Sequence, residues 1–103
     1  MANDNVRRAD WRVVDGNLKP LGYEQDGTIS GATALPNIPA EARLALVIVT
    51  GQDCRWRDDG TDPDASTGML LKTDTMFWYN GDLSAFKIIE TAVSAVLNVS
   101  YYG

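Results

Sequence analysis

Asp-Gly and Asn-Gly pairs recur at Asp15-Gly16, Asp26-Gly27, Asp59-Gly60 and Asn80-Gly81, and this punctuation constrains the fold more than any other feature of the chain. Glycine takes positive φ at no steric cost, and Asn or Asp before it favours the same tight reversal, so such pairs mark hairpin turns between extended runs. The clearest case is Thr75-Met76-Phe77-Trp78-Tyr79 followed by Asn80-Gly81 and residues 83–90. Strand-forming runs flank the preferred two-residue turn there, which predicts a hairpin.

The runs between turns read as strands. Leu44-Ala45-Leu46-Val47-Ile48-Val49 is apolar at every position, which suits a central strand covered on both faces. In the next run Cys54 and Trp56 alternate with Arg55 and Arg57, the period of a strand with one wet face, and a turn around Gly51-Gln52 is expected to pair the two. Residues 58–68 hold Asp58, Asp59, Gly60, Asp62, Pro63, Asp64 and Gly68, a polar stretch with a proline that cannot join a central ladder, and are expected to form an exposed loop. Residues 84–99 admit two readings. Phe86, Ile89, Val93 and Val96 fall at helical spacing, but Ala95, Leu97, Val99 and Tyr101 alternate against Val96, Asn98, Ser100 and Tyr102, which favours two strands turning near Thr91-Ala92.

The first thirty or so residues scatter Trp11, Val13, Val14, Leu18, Leu21 and Tyr23 among charges and turn residues. Either they form a hairpin around Asp15-Gly16 that packs on the main body, or they make an arm that lies on a neighbouring molecule. Residues 34–39, stiffened by Pro36 and Pro39, read as an extended link.

A chain of 103 residues is the size of one domain. Its 45% hydrophobic and 22% charged residues are ordinary globular values, so it is expected to fold around a modest core. Nine basic against fourteen acidic side chains leave a net charge of -5, which disfavours phosphate backbones and anionic membranes, and Arg7-Arg8 with Arg55 and Arg57 are too few to reverse that. No nucleic-acid or membrane partner is expected. Residues 1–14 lack an apolar signal core and no run approaches the ~20 apolar residues of a membrane span, so the expected site of synthesis is the cytosol. Cys54 stands alone, and stability must come from packing or assembly rather than an internal disulfide.

Catalytic readings fail on residue type or spacing. The absence of histidine removes the commonest general base and the commonest zinc ligand together. Cys54, on the apolar side of its strand beside Trp56, reads as a buried thiol. The carboxylates of residues 58–68 do not match a calcium loop, because Gly60 comes too early and Met69 stands where the bidentate glutamate belongs. No catalytic residue, cofactor or metal ligand is assigned, and the chain reads as a structural or binding protein rather than an enzyme. Arg55 and Arg57 are expected to order the acidic loop or to meet acids on a partner. Because Trp78 must oppose Phe77 and Tyr79, some aromatic surface has to be covered by a second sheet, the N-terminal segment or another subunit.

The stretches Ala42-Arg43-Leu44-Ala45-Leu46-Val47, Arg55-Trp56-Arg57-Asp58-Asp59-Gly60-Thr61, Pro63, Gly68-Met69, Leu83-Ser84-Ala85-Phe86-Lys87-Ile88-Ile89 and Ala95-Val96-Leu97-Asn98-Val99-Ser100-Tyr101-Tyr102 resemble small proteins encoded among the virion structural genes of tailed bacteriophages, some of which are capsid decoration, or cement, proteins. The resemblance covers about residues 33–103. It implies a small antiparallel β-sandwich or jelly-roll-like module over 33–103, with residues 1–32 as an N-terminal arm or accessory hairpin. It further implies a homotrimer on the outer capsid surface of the virion, bound to the major capsid protein after assembly in the host cytoplasm. Arg7, Arg8, Trp11, Arg55, Arg57 and Trp78 are the candidate partner-binding residues. A carbohydrate- or receptor-binding module of a tail and a head-to-tail adaptor are the competing functions.

Overall fold

The computed structural model describes residues 18–103. They form eight strands: β1 (Pro20–Asp26), β2 (Thr33–Ala34), β3 (Leu44–Thr50), β4 (Cys54–Arg57), β5 (Met69–Leu71), β6 (Phe77–Tyr79), β7 (Lys87–Glu90) and β8 (Val96–Tyr102). A short 3-10 helix, Leu83–Ala85, precedes β7, and the Asp82 carboxylate caps it by accepting from the Ser84 amide. Two four-stranded antiparallel sheets, β1-β8-β3-β6 (sheet A) and β2-β7-β4-β5 (sheet B), pack as a sandwich.

The core follows from period-two alternation. β3 buries Ala45, Val47 and Val49, while β8, paired to it along its whole length, buries Leu97, Val99 and Tyr101. Sheet B answers with Cys54, Leu71 and Ile88, and Phe86 fills the space beside them. Trp56 points inward from β4 and stacks on Phe86 with centroids 5.2 Å apart, with Phe77 and Tyr79 around the same cluster. Each fully buried large side chain contributes about 1.5–3 kcal/mol of transfer free energy. β1 opens with Pro20, tolerable because this strand is an edge and proline has no N–H to give. A bulge at Leu21 follows, after which Tyr23 to Asp26 keep register with Ser100 to Leu97. Residues 18–32 therefore supply an edge strand and, in the fully buried Ile29, a core residue. Residues 1–17, with Arg7, Arg8, Trp11 and the Asp15-Gly16 turn, lie outside the described residues.

Most strand assignments stand, and residues 84–99 hold two strands rather than a long helix, although Leu83–Ala85, read as the start of a strand, form the 3-10 helix; the expected pairings do not stand. Among the described residues only the β4–β5 connection stays within one sheet; every other connection crosses from one sheet to the other. Residues 75–79 and 83–90 form no hairpin at Asn80-Gly81: β6 belongs to sheet A, and the chain passes through the 3-10 helix into β7 of sheet B. The backbone gives the reason. A type I′ turn needs positive φ at both central residues, and neither Asn80 nor Gly81 is among the positive-φ positions. The turn at Gly51-Gln52 likewise carries β3 across to β4 instead of pairing them. Gly51 has φ of 87°, and a Cβ there would collide with the Ser94 carbonyl where the β7–β8 connection crosses the same end of the sandwich. The turn near Thr91-Ala92 exists, yet β7 and β8 also lie in opposite sheets.

Candidate protein-interaction surface

The register places Tyr23, Ser100, Leu46 and Trp78 in one row across the outer face of sheet A, one residue from each strand. Trp78 opposes the inward Phe77 and Tyr79, as alternation predicts, and is 46% exposed; Tyr23 is 58% exposed. Gln25, Asn98 and Ile48 form the next row, with Leu44, Tyr102 and Thr50 completing the face. None of these residues is charged. The outer face of sheet B differs, since Arg55, Arg57 and Lys87 lie on it beside Leu70 and Ile89.

Several polar groups on the outer face of sheet A are hydrogen-bonded within it. The Tyr23 hydroxyl donates to Asn98 Oδ1 at 2.7 Å, and Asn98 Nδ2 donates to the Ile48 carbonyl at 3.2 Å. Ser100 Oγ donates to the Tyr102 hydroxyl at 3.4 Å, and the Tyr102 ring packs on Trp78 with centroids 5.7 Å apart. Those groups lose few water contacts when something covers them.

Apolar side chains are also exposed at the end strands of the two sheets, β5 and β6. Met69 and Leu70 on β5 and Met76 just before β6 are exposed, and edge strands leave backbone N–H and C=O groups unpaired. Unbranched methionines adapt to a partner's shape.

Arg55 and Arg57, assigned from sequence to a partner or to the acidic loop, both serve the loop. Arg55 Nη1 donates to the Gly68 carbonyl at 2.8 Å, while its Nε is buried with no protein partner. Arg57 forms a two-pronged ion pair with Asp59, through Nε at 3.0 Å and Nη2 at 2.5 Å, and each side chain holds the other's charge: the Asp59 carboxyl is pushed down and the Arg57 guanidinium up. The other loop carboxylates are engaged as well. Asp58 accepts from the Tyr79 hydroxyl at 2.6 Å, Asp62 pairs with Lys87 at 3.1 Å, and Asp64 accepts from the Ser66 amide, which lowers its carboxyl. Among the described residues, no three His, Cys, Asp or Glu side chains group so as to hold a metal ion.

Cys54 is fully buried, and desolvation together with the charges of Glu90 and Asp53 pushes its thiol up to about 11, far from a thiolate nucleophile at neutral pH. Burial, the hydrogen bond to Asp58 and the nearby acids drive the Tyr79 hydroxyl upward. Asp53 accepts from the Thr73 hydroxyl and amide at 2.7 and 2.8 Å, which holds its carboxyl down and ties the β3–β4 connection to the turn after β5.

Of the candidate residues, Trp78 lies on the charge-free face, Arg55 and Arg57 serve the loop, and Arg7, Arg8 and Trp11 lie outside the described residues. Tyr23, Leu46 and Ile48 were assigned no interaction role from sequence, because a strand pattern shows which residues share a face but not that the neighbouring strands bring no charge to it. Compared with known proteins, the chain matches no family model, no curated protein and no solved structure.

Proposed function

We propose that the chain is a non-enzymatic virion structural protein of a tailed bacteriophage that decorates and stabilises the capsid by binding the major capsid protein. The observation that carries this reading is the apolar surface exposed among the described residues: the charge-free face of sheet A, and Met69, Leu70 and Met76 at the end strands of the two sheets. A decoration protein needs a compact body and distinct surfaces for its neighbours, and its energy comes from many copies each adding weak contacts. The resemblance over residues 33–103 supplies the virion context. A tail module that binds carbohydrate or a receptor draws on a narrower observation, the exposed Trp78 ring beside Tyr102, which offers a sugar a stacking surface.

Mass analysis of purified particles tests the proposal. Capsid decoration requires on the order of hundreds of copies per particle, set by the repeat of the shell. A copy number of about a dozen or fewer places the chain at a connector or tail and overturns capsid decoration, as does its absence from heads. Binding on a glycan array that is lost in Trp78→Ala supports the tail module instead.

A further inference from the structure

We propose that in the free protein a second copy of this chain covers the outer face of sheet A, the two faces stacking about a two-fold axis with Leu46 and Trp78 at the centre. The argument starts from charge. Each chain carries a net -5, so two copies repel wherever their acidic surfaces meet, and the region free of that penalty is the one whose rows carry no charged side chain. Across a two-fold axis any charge near the centre meets its own copy. A charge-free centre avoids that self-repulsion, whereas a foreign partner gains specificity from complementary charge that this face does not offer.

Hydrogen bonding points the same way. The Tyr23 hydroxyl and the Asn98 amide are hydrogen-bonded within the face, so an apolar surface can cover those two groups without orphaning them. Size limits the strength. Three strands of seven residues and one of three, about 4.8 Å apart and rising about 3.3 Å per residue, give a footprint of about 380 Å², under half of the ~800 Å² per partner in a standard interface. The pair is accordingly weak and exchangeable. A sheet face stacked on itself closes at two copies, so the free protein is a dimer rather than the trimer that the sequence resemblance implies. The pairing leaves the β5 and β6 edge strands open and requires no capsid.

Sedimentation velocity of the full chain, from about 5 to about 500 μM, reads this directly. The expected result is a shift from one chain to two within that range, strengthened by added salt because the screened term is repulsion. Leu46→Glu sets two carboxylates near the axis and should weaken pairing at least about 10-fold. Tyr23→Glu, at an exposed edge position, gives the same test should the Leu46 variant fail to fold, with circular dichroism confirming the sandwich. A monomer throughout the range, a trimer, or a dimer indifferent to Tyr23→Glu overturns the proposal. A strictly monomeric chain found at high copy number on heads overturns self-pairing alone and leaves capsid decoration standing; self-pairing without any head association does the reverse.

Discussion

Replacing Tyr101 with Phe removes one oxygen and keeps a ring. Tyr101 lies fully buried on β8, and its hydroxyl donates to the Pro36 carbonyl at 2.5 Å, fastening the segment between β2 and β3 to the inner face of sheet A. Without that donor the carbonyl is orphaned, at a cost of about 1–3 kcal/mol for a buried acceptor. Pro36 is half-buried, so water can replace part of the bond, and the expected loss sits near the lower end, about 1–2 kcal/mol. Urea unfolding at pH 7 should show a midpoint lower by about 1 M with an unchanged slope. The pH dependence supplies a second signature. Burial, with a smaller contribution from the charge of Glu24, pushes the Tyr101 hydroxyl up to about 12 from its ordinary 10.0. A raised value means that the folded state favours the neutral phenol. That stability is complete below pH 10, where neither state has lost the proton, and is lost as the pH rises through about 12. The Phe variant has no such proton, so the gap between the two proteins should narrow above pH 10. A gap under about 0.5 kcal/mol at pH 7, or one that stays constant to pH 12, refutes the reasoning.

Three further outcomes are expected. Deleting residues 1–27 strips β1 from β8 and should lower the melting temperature by more than about 10 °C or abolish the cooperative transition; a truncated chain that melts with the full one would show β1 to be dispensable. Millimolar calcium should not move the melting temperature, because Asp58, Asp59, Asp62 and Asp64 already have partners; a rise of several degrees that Asp62→Ala removes would show the loop to be a cation site. A thiol-titrating reagent should react with Cys54 only as the chain unfolds, and the stability tied to the neutral thiol, complete below pH 9.0, should be lost as the pH rises through about 11; a pH titration of unfolding beside Cys54→Ala reads the difference, and fast labelling of native protein would contradict the burial.

Alternation carried most of the legible information. It placed Cys54 and Trp56 inward with Arg55 and Arg57 outward, set Trp78 against Phe77 and Tyr79, and separated the buried Leu97, Val99 and Tyr101 from their half-buried neighbours. Pairing was not legible, because a glycine turn marks where the chain reverses and not which sheet it enters next. Asn80-Gly81 and Gly51-Gln52 both read as hairpin turns, yet their destinations were decided by packing far away in sequence. Tyr79 reaches Asp58 across the space where a Cβ on Gly81 would stand, and Gly51 closes against Ser94. The charge-free face was equally hidden. It comes from four strands drawn from both ends of the described chain, and no local window contains Tyr23, Leu46, Trp78 and Ser100 together.

The crossing connections also set the order in which this protein can come into being. Sheet A joins β1 to β8, so β1 has no neighbour to pair with until β8 has been made, and β3, which meets β6 on one side, waits for β8 on the other. A ribosome releasing the chain from the amino end would hold β1 and one edge of β3 open until β8 emerges, with hairpin formation between consecutive strands limited to β4 and β5 among the described residues. Contacts so distant in sequence must bear the loop-closure entropy before they stabilise anything, which places folding on the millisecond-to-second scale of β-sandwiches. Stopping synthesis a few residues before Tyr102 would therefore cost far more than the few contacts removed, since β8 is the shared neighbour that turns separate strands into one sheet.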